Sequence, residues 1–461
     1  MIRAGTQNIS ELSISEAEQL AAASRDVSKL DVAALEALAS ELIALPQELS
    51  WVNKPLEAAV FAELRDRAAI VNGRLLERFL FTLHDTSALF SLLDRRGIFS
   101  EENGFKNDDV LNLSPLKVLF LSSKFGNYVS SQEFFFGVLK ELSSSLDFFL
   151  LSDNGFSEKY TKYFRCENFS SPEDFNQILG KVGPSLIVDL NGNYVQLTKS
   201  LAPPYFSVDP NGAPRLGVNY FYSQLATKAF SKFRRFLVRP IDSVGGPLMF
   251  IPESSEVRQY PEIRRVATHG GPVIFGAFCR TAKLSMPVVC EWAAILQRHA
   301  NSQLWFAFIQ SNPKSEAIVQ RVFAGFGVCP DRVRFIPRMP TENYLSVLNE
   351  VTINLGAMPE QGGISCMDSL LMGCPYVVCN ELSNTFIATL ALEELGLTEW
   401  VAPSLQGYHE MIDRLLADSS KLSDLETRRK IRRRLLESPL GGAARTAGEW
   451  MRFFERLARP A

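Results

Sequence analysis

The spacing of hydrophobic and polar positions changes near residue 112. From residue 8 to about residue 100, leucine, alanine and phenylalanine recur three and four positions apart, as in "DVAALEALASELIAL" (31–45). This spacing is typical of amphipathic helices, and Ser13 with Glu16 has the spacing of a capping box at a helix start. The period of about 34 residues that marks tetratricopeptide repeats is absent. We therefore predict an all-helical domain over residues 1–112 that is not a helical repeat.

After residue 112, short apolar runs alternate with helical stretches. The first group of runs is "KVLFLSS" (117–123), "DFFLLSD" (147–153) and "SLIVDLNG" (185–192). The second group is "PVIFGAF" (272–278), "LWFAFIQ" (304–310), "VRFIPR" (333–338), "VTINLGA" (351–357) and "PYVVCN" (375–380). Apolar strands that alternate with helices indicate parallel sheets covered on both faces.

The predicted fold class is therefore α/β, with two doubly wound, Rossmann-like domains in tandem. We place the first domain at residues 113–250 and the second at residues 251–461, joined by a segment containing proline and glycine near residues 240–270. In open parallel sheets, ligands bind beyond the carboxyl ends of the strands. The expected binding site lies there, in a cleft between the two sheets.

Composition narrows the function classes. The chain has 461 residues, of which 46% are hydrophobic, and a net charge of −3, which gives no electrostatic reason for nucleic-acid binding. The basic run "RRKIRRR" (428–434) has acidic neighbours and is expected to be a solvated helix face. The seven cysteines are scattered, which favours reduced thiols in a cytoplasmic protein. Neither a secretory signal nor a membrane span is predicted.

Two features near the second group of strands could bind an anion. "GGIS" (362–365) follows a strand and leads into an apolar helical run, so the free N–H groups of a helix start would meet there. Arg280 and Lys283 follow the strand "PVIFGAF", and they would emerge at the same edge of the sheet. Glycines in such a corner can equally be plain turn formers, and each cation alone can be a surface residue. Together they favour a phosphate or diphosphate site.

Residues 115–455 resemble glycosyltransferase family 41, most strongly over 272–380. The resemblance is carried in order by "FCRTAK" (278–283), "RVRF" (332–335), the small-residue loop before "MDSLLMGCP" (367–375) and "ESPL" (437–440). The family includes O-linked N-acetylglucosamine transferases and bacterial N-glycosyltransferases that glucosylate adhesins. The resemblance implies a GT-B fold in which two Rossmann-like domains face a cleft, and inversion at the anomeric carbon. It implies no metal and no cofactor, with UDP-glucose or UDP-N-acetylglucosamine as donor and a polypeptide as acceptor.

The resemblance also implies roles for individual residues. Lys283 and Arg280 would be the catalytic residues, with Lys283 on the diphosphate and Arg280 in contact with the uracil or a phosphate. The other donor-binding positions would be Gln310, Gly362, Gly363, Ile364, Ser365 and Asp368. Asp368 would bind the ribose, although an acidic residue in the first turn also simply stabilises a helix.

The amino-terminal half departs from the family pattern. In "FGNYVSSQ" (125–132), Tyr128 and Gln132 occupy positions where the O-linked transferases carry histidines, so the general base is unassigned. Asn127, Tyr128 and Asp189 are candidates on the acceptor side, and Asp209 is a further candidate base. The leading hypothesis is a metal-independent transferase that moves glucose or N-acetylglucosamine to a protein side chain. The alternative is an inactive GT-B-like partner or chaperone subunit.

Overall fold

A computed structural model describes part of the chain. The described residues are 27, 29–35, 37–38, 60, 115–123, 125–126, 129–190, 205–207, 219–220, 261–264, 271–280, 283–308, 313–383 and 385–458. The predicted helical domain over residues 1–112 lies almost entirely outside them.

In the part of the chain that the structure describes, the first sheet has six parallel strands. They are β1 (Lys117–Leu121), β2 (Asp147–Ser152), β3 (Cys166–Asn168), β4 (Leu186–Asp189), β5 (Tyr205–Ser207) and β6 (Asn219–Tyr220). Their order across the sheet is β3-β2-β1-β4-β5-β6. The strand order therefore reverses between β1 and β4, where Leu121 pairs with Asp189.

Three helices connect the early strands of this sheet, and a fourth comes from the end of the chain. They are α1 (Val129–Leu142), α2 (Glu158–Tyr163), α3 (Pro172–Val182) and α12 (Ala444–Ala458). α3 begins at a Ser171 cap, whose side chain accepts a hydrogen bond from the Asp174 N–H, and it ends at Gly183 in the left-handed conformation. The serine cap favours a helix start and the left-handed glycine favours a helix end, which explains why the sequence forms the helix at this place.

The second sheet also has six parallel strands within the described ranges. They are β7 (Val273–Cys279), β8 (Ser302–Phe308), β9 (Val333–Ile336), β10 (Ile353–Leu355), β11 (Tyr376–Cys379) and β12 (Val401–Ala402). Their order is β12-β11-β10-β7-β8-β9. Here the order reverses between β7 and β10, where Asn354 pairs with Gly276.

Among the described residues, eight helices accompany the second sheet. They are α4 (Met286–Arg298), α5 (Pro313–Gly325), α6 (Thr341–Val347), α7 (Gly363–Leu371), α8 (Ile387–Glu394), α9 (Leu405–Ala417), α10 (Ser419–Leu422) and α11 (Leu425–Leu436). The prediction of two doubly wound α/β domains is confirmed. Of the strands in the described residues, β3, β5, β6 and β12 were not predicted, because runs of two to three residues carry no periodicity.

The compact units differ from the predicted domain boundaries at the C-terminus. One unit contains residues 260–434, and the other contains residues 96–259 together with residues 435–461. The last helix, α12, therefore belongs with the first sheet, where Trp450 stacks on Phe120 with ring centroids 6.1 Å apart. The aromatic residues Phe453 and Phe454 are buried in the same core. Apolar burial assigns the end of the chain to the first sheet.

The prediction of a solvated face for residues 428–434 is wrong for two of its arginines. Arg428 is fully buried, and its guanidinium donates to the carbonyl oxygens of Leu348, Asn349 and Val351 at 3.2, 3.1 and 2.6 Å. Arg432 is half-buried and donates to carbonyls outside its own helix. The planar guanidinium presents several donors at once, so it can satisfy several carbonyls that a buried turn leaves free.

Candidate functional site

Gly362 and Gly363 form the corner between the end of β10 and the start of α7. Gly362 has extended backbone angles (φ −79°, ψ 113°), so its conformation does not demand a glycine. Space does demand it, because a Cβ at Gly362 would overlap the Ser365 hydroxyl and lie 2.9 Å from the Tyr376 hydroxyl. The glycine therefore lets two hydroxyl groups approach the backbone at the helix start.

The start of α7 presents N–H donors that are unpaired within the helix. Its cap residue is a glycine, so no cap side chain bonds the first N–H groups of the helix. The N–H groups of Gly363, Ile364 and Ser365 have no partner inside the helix, and the helix dipole adds partial positive charge there. Ile364 is exposed and Ser365 is half-buried at this end. This geometry suits an anion.

The Lys283 side chain reaches this corner from the end of β7. Its Nζ lies 3.1 Å from the Glu360 carboxylate, and Glu360 precedes Gly362 by two residues. The side chains of Lys283 and Glu360 are 13% and 8% exposed. The structure thus brings together Lys283 and the glycine corner, which the sequence analysis had paired because of their strand ends.

The charges around the end of β7 also affect the pKa of a buried thiol, that of Cys279. Burial raises the pKa of the Cys279 thiol to about 12, while the positive charges of Lys283 and Arg280 lower it and the Glu360 carboxylate raises it. Arg280, which directly follows β7, is half-buried. Two cations and one carboxylate therefore lie within electrostatic range of one point at the strand end.

The site lies at the point where the strand order of the second sheet reverses. β7 leads to Lys283, and the neighbouring strand β10 leads to Glu360 and Gly362. Loops that leave adjacent strands in opposite directions open a crevice at the carboxyl edge, and this is where open α/β sheets bind ligands. Strand order cannot be deduced from the sequence, so the position of this crevice is known from the structure alone.

Tyr376, the first residue of β11, holds the loop that connects β10 to α7. Its hydroxyl accepts a hydrogen bond from the Ala357 N–H at 3.3 Å and lies 3.3 Å from the Ser365 hydroxyl. Burial raises the pKa of Tyr376 far above its usual range, so the phenol stays protonated. No sequence signal distinguished this tyrosine from an ordinary strand residue.

Gln361 ties the same loop to α8. Its side-chain amide nitrogen donates to Asn380, Ser383 and Thr389 at 3.3, 3.1 and 3.0 Å, and its side-chain oxygen accepts from the Thr389 N–H at 2.8 Å. The residue is fully buried. Since Thr389 lies in the first turn of α8, the Gln361 side chain caps that helix from a distant loop.

Sequence reasoning did not identify Glu360 or Gln361 as site residues. The available signal was a charged and an amide residue directly before two glycines in "MPEQGG" (358–363). A polar pair at the carboxyl edge of a parallel sheet could have been considered on that ground.

Asp368 lies inside α7, and one explanation offered for it is wrong. It is the sixth residue of the helix, and the first turn of α7 contains no acidic residue. A dipole-stabilising role at the helix start therefore does not apply, since that effect is confined to the first turn. Asp368 is buried. Burial raises the pKa of the neighbouring Cys366 thiol, and the charge of Asp368 raises it further.

The other candidates belong to the first sheet or lie outside the described residues. Asp189 is the buried last residue of β4, at the reversal point of the first sheet. Gln310, Asn127, Tyr128 and Asp209 lie outside the described residues, so their predicted roles stay predictions.

Within the ranges that the structure describes, no group of three His, Cys, Asp or Glu side chains could hold a metal ion.

A separate search of the described helices finds none that is long and apolar enough to span a bilayer.

Comparison with known proteins supports the resemblance. Residues 264–446 match the profile of Glycosyl transferase family 41. A probable UDP-N-acetylglucosamine--peptide N-acetylglucosaminyltransferase SPINDLY from Petunia hybrida is 28% identical over 195 residues, which are 41% of this chain and 20% of that protein. The protein of the same description from Solanum lycopersicum is 28% identical over 200 residues, 42% of this chain and 20% of its own. The chain thus spans about a fifth of the length of these relatives.

One solved structure extends the comparison to the whole fold. A mutant O-GlcNAc transferase from Thermobaculum terrenum aligns with a TM-score of 0.64 and 18% identity, over 96% of this chain and 87% of that chain. At this identity the likeness shows the fold. The GT-B fold class and the resemblance to family 41 are confirmed.

Proposed function

We propose that this chain, whose residues 264–446 belong to glycosyltransferase family 41, transfers a sugar from a UDP-sugar to a polypeptide side chain. The printed names of the relatives describe enzymes that use UDP-N-acetylglucosamine and a peptide. Because the chain spans about a fifth of their length, its own activity, donor and acceptor are a proposal.

The observation that carries the proposal is the contact of Lys283 with Glu360, three residues before α7 begins at Gly363. When the bond between the anomeric carbon and the diphosphate breaks, negative charge collects on the leaving oxygen. A nearby ammonium and the N–H groups of a helix start stabilise such charge when they are fixed before the reaction. Lys283, Arg280 and the N–H groups of Gly363, Ile364 and Ser365 supply this combination.

Metal independence is part of the proposal. The two cations and the helix end would take the role that Mg²⁺ has in other phosphate sites, which is to neutralise the departing diphosphate. The expectation is tested by transfer assays with and without a chelator, where unchanged rates support it.

The sugar and the acceptor are the finer parts of the proposal. Glucose and N-acetylglucosamine both remain candidates, and the names of the relatives make UDP-N-acetylglucosamine the first donor to test. Asp189, together with Asn127 and Tyr128, which follow β1 in the sequence, would contact the acceptor. A cytoplasmic location is likewise proposed, from the cysteine usage.

One observation favours a second candidate function, that of a catalytically inactive binding partner. Lys283 is paired with a buried carboxylate, so the cation that should receive the diphosphate is already neutralised. A protein of this fold that has lost its chemistry would tolerate such a pair. Binding and transfer measured on the same preparation separate the two functions.

The deciding experiment compares the wild type with Lys283→Met. We expect Lys283→Met to lower the transfer rate by about 100-fold or more, because one preorganised positive group at the leaving oxygen is lost. Transfer is measured by the intact mass of candidate acceptor polypeptides, and UDP binding by calorimetry. Lys421→Met, which removes an exposed lysine on α10, is the matched control and should retain full activity.

Two results would contradict the assignment. A folded Lys283→Met variant with full transfer activity would show that the cation has no part in the reaction. A wild-type protein that binds UDP but never modifies an acceptor would favour the inactive partner.

A further inference from the structure

The Lys283–Glu360 ion pair has a consequence for which ligand the corner prefers. Both side chains are nearly buried, and their charged atoms are 3.1 Å apart. Water screens such a pair much less than it screens surface charges, so an anion bound beside Lys283 also interacts with the Glu360 carboxylate. The question is whether the carboxylate can leave when a ligand arrives.

The backbone on both sides of Glu360 is held in place. The Pro359 carbonyl accepts a hydrogen bond from the Thr385 N–H at 3.5 Å, and the Gln361 N–H donates to the Thr385 hydroxyl at 3.0 Å. The Gln361 side chain adds its bonds to α8 and to the residues after β11. Since both neighbours of Glu360 are fixed, only its side-chain torsions can change. The carboxylate therefore stays within a side-chain length of Lys283.

Donor and product differ by one charge at this position. In the transfer, the bond between the anomeric carbon and the β-phosphate oxygen breaks, and its electron pair stays on that oxygen. The acceptor forms the new bond to carbon and gives up its proton to a base or to solvent. The terminal phosphate of UDP has a second ionisation near pH ~6, so at neutral pH UDP carries one more negative charge than the UDP-sugar.

We infer that Glu360 determines specificity between donor and product, by disfavouring UDP more strongly than the UDP-sugar. The inference rests on the proposed function, and it deepens that function by assigning a role in product release. A carboxylate that stays within a side-chain length of Lys283 repels the extra charge of UDP, and that charge appears only after transfer. The same carboxylate opposes charge development during transfer, and Lys283 with the start of α7 offsets this effect.

The test compares two ligands across matched variants of the full chain. Dissociation constants for UDP and for UDP-N-acetylglucosamine or UDP-glucose are measured by calorimetry for the wild type, Glu360→Gln and Glu342→Gln. Glu360→Gln keeps the size of the side chain and removes its charge. We expect it to tighten UDP binding by about three- to tenfold more than it tightens UDP-sugar binding. Glu342→Gln removes an exposed carboxylate of α6 and should leave the ratio of the two constants unchanged.

Lys283→Met is expected to change the ratio of the two dissociation constants in the opposite direction. Removing the positive charge should weaken UDP binding more than UDP-sugar binding, so the ratio moves the other way. Glu360→Asn is a second neutral variant and should shift the ratio in the same direction as Glu360→Gln. Thermal unfolding of every variant identifies any that do not fold.

The inference fails if folded Glu360→Gln and Glu360→Asn change both dissociation constants by the same factor, or weaken UDP binding relative to the UDP-sugar. A wild type that binds UDP and the UDP-sugar, with an unchanged ratio in both variants, overturns this inference and leaves the proposed function in place. A wild type that binds neither ligand overturns the proposed function itself.

Discussion

Arg428 shows how one residue within a charged run can be part of the core. Its guanidinium contacts three carbonyl oxygens between α6 and β10, and burial lowers its pKa. The backbone packs as closely as the side chain, because a Cβ on Gly373, which has a φ of +65°, would overlap the Arg428 carbonyl. Arg429, the next residue, is exposed. Two adjacent arginines therefore have opposite roles.

Replacing Arg428 should be far more costly than replacing its neighbour. Arg428→Met leaves three carbonyl oxygens without their donor, and we expect the free energy of unfolding to fall by about 3 kcal/mol. Arg429→Met removes only an exposed charge and should change it by less than about 0.5 kcal/mol. Urea unfolding of both variants checks this, and equal midpoints would show that the carbonyl contacts contribute nothing to stability.

At the scale of elements, the loop between β10 and α7 is fixed by side chains from three places. Tyr376 holds its beginning, Thr385 holds its middle, and the Gln361 side chain joins its end to α8. These bonds place Glu360 and Gly362 relative to Lys283. An active-site loop that is held before the ligand arrives needs no ordering on binding, which favours affinity.

Gln361→Leu should separate loop order from direct ligand contact. The change removes the cap on α8 and leaves buried hydroxyl and amide groups without their partner, so we expect a loss of about 2–3 kcal/mol in the free energy of unfolding. UDP binding should weaken as well, since the loop loses its fixed position. Gln406→Leu, on the exposed face of α9, should change neither quantity. Gln361→Leu with wild-type stability and affinity would contradict this role.

At the scale of the whole molecule, residues 260–434 belong to the unit that contains the second sheet, whereas residues 435–461 belong to the unit that contains the first sheet. The last helix, α12, then completes the core of the first sheet, where Trp450, Phe453 and Phe454 are buried with Phe120. Phe120 in the first strand and the aromatic residues of the last helix thus share one hydrophobic core. The first unit therefore depends on a segment that is far away in sequence.

Trp450→Ala should weaken one unit selectively. Removing a buried indole typically costs about 3–5 kcal/mol, so amide protection in β1 should fall while protection in β10 is retained. Arg452→Ala, which removes an exposed ion pair on the same helix, should leave both unchanged. Hydrogen exchange followed by mass spectrometry measures each strand separately. An equal loss in β1 and β10 would show that the two units unfold together.

The sequence by itself determined the α/β class, the two groups of strands and the candidate pair of Lys283 with the glycine corner. These follow from local properties, because hydrophobic periodicity sets strands and helices, and parallel strands place their carboxyl ends at one edge. The tertiary structure decided what depends on distant contacts. Strand order put β7 beside β10, burial turned Arg428 into a core residue, and packing assigned α12 to the first sheet. The ion pair between Lys283 and Glu360 was also decided by the tertiary structure. The two residues are far apart in sequence and meet because β7 lies beside β10.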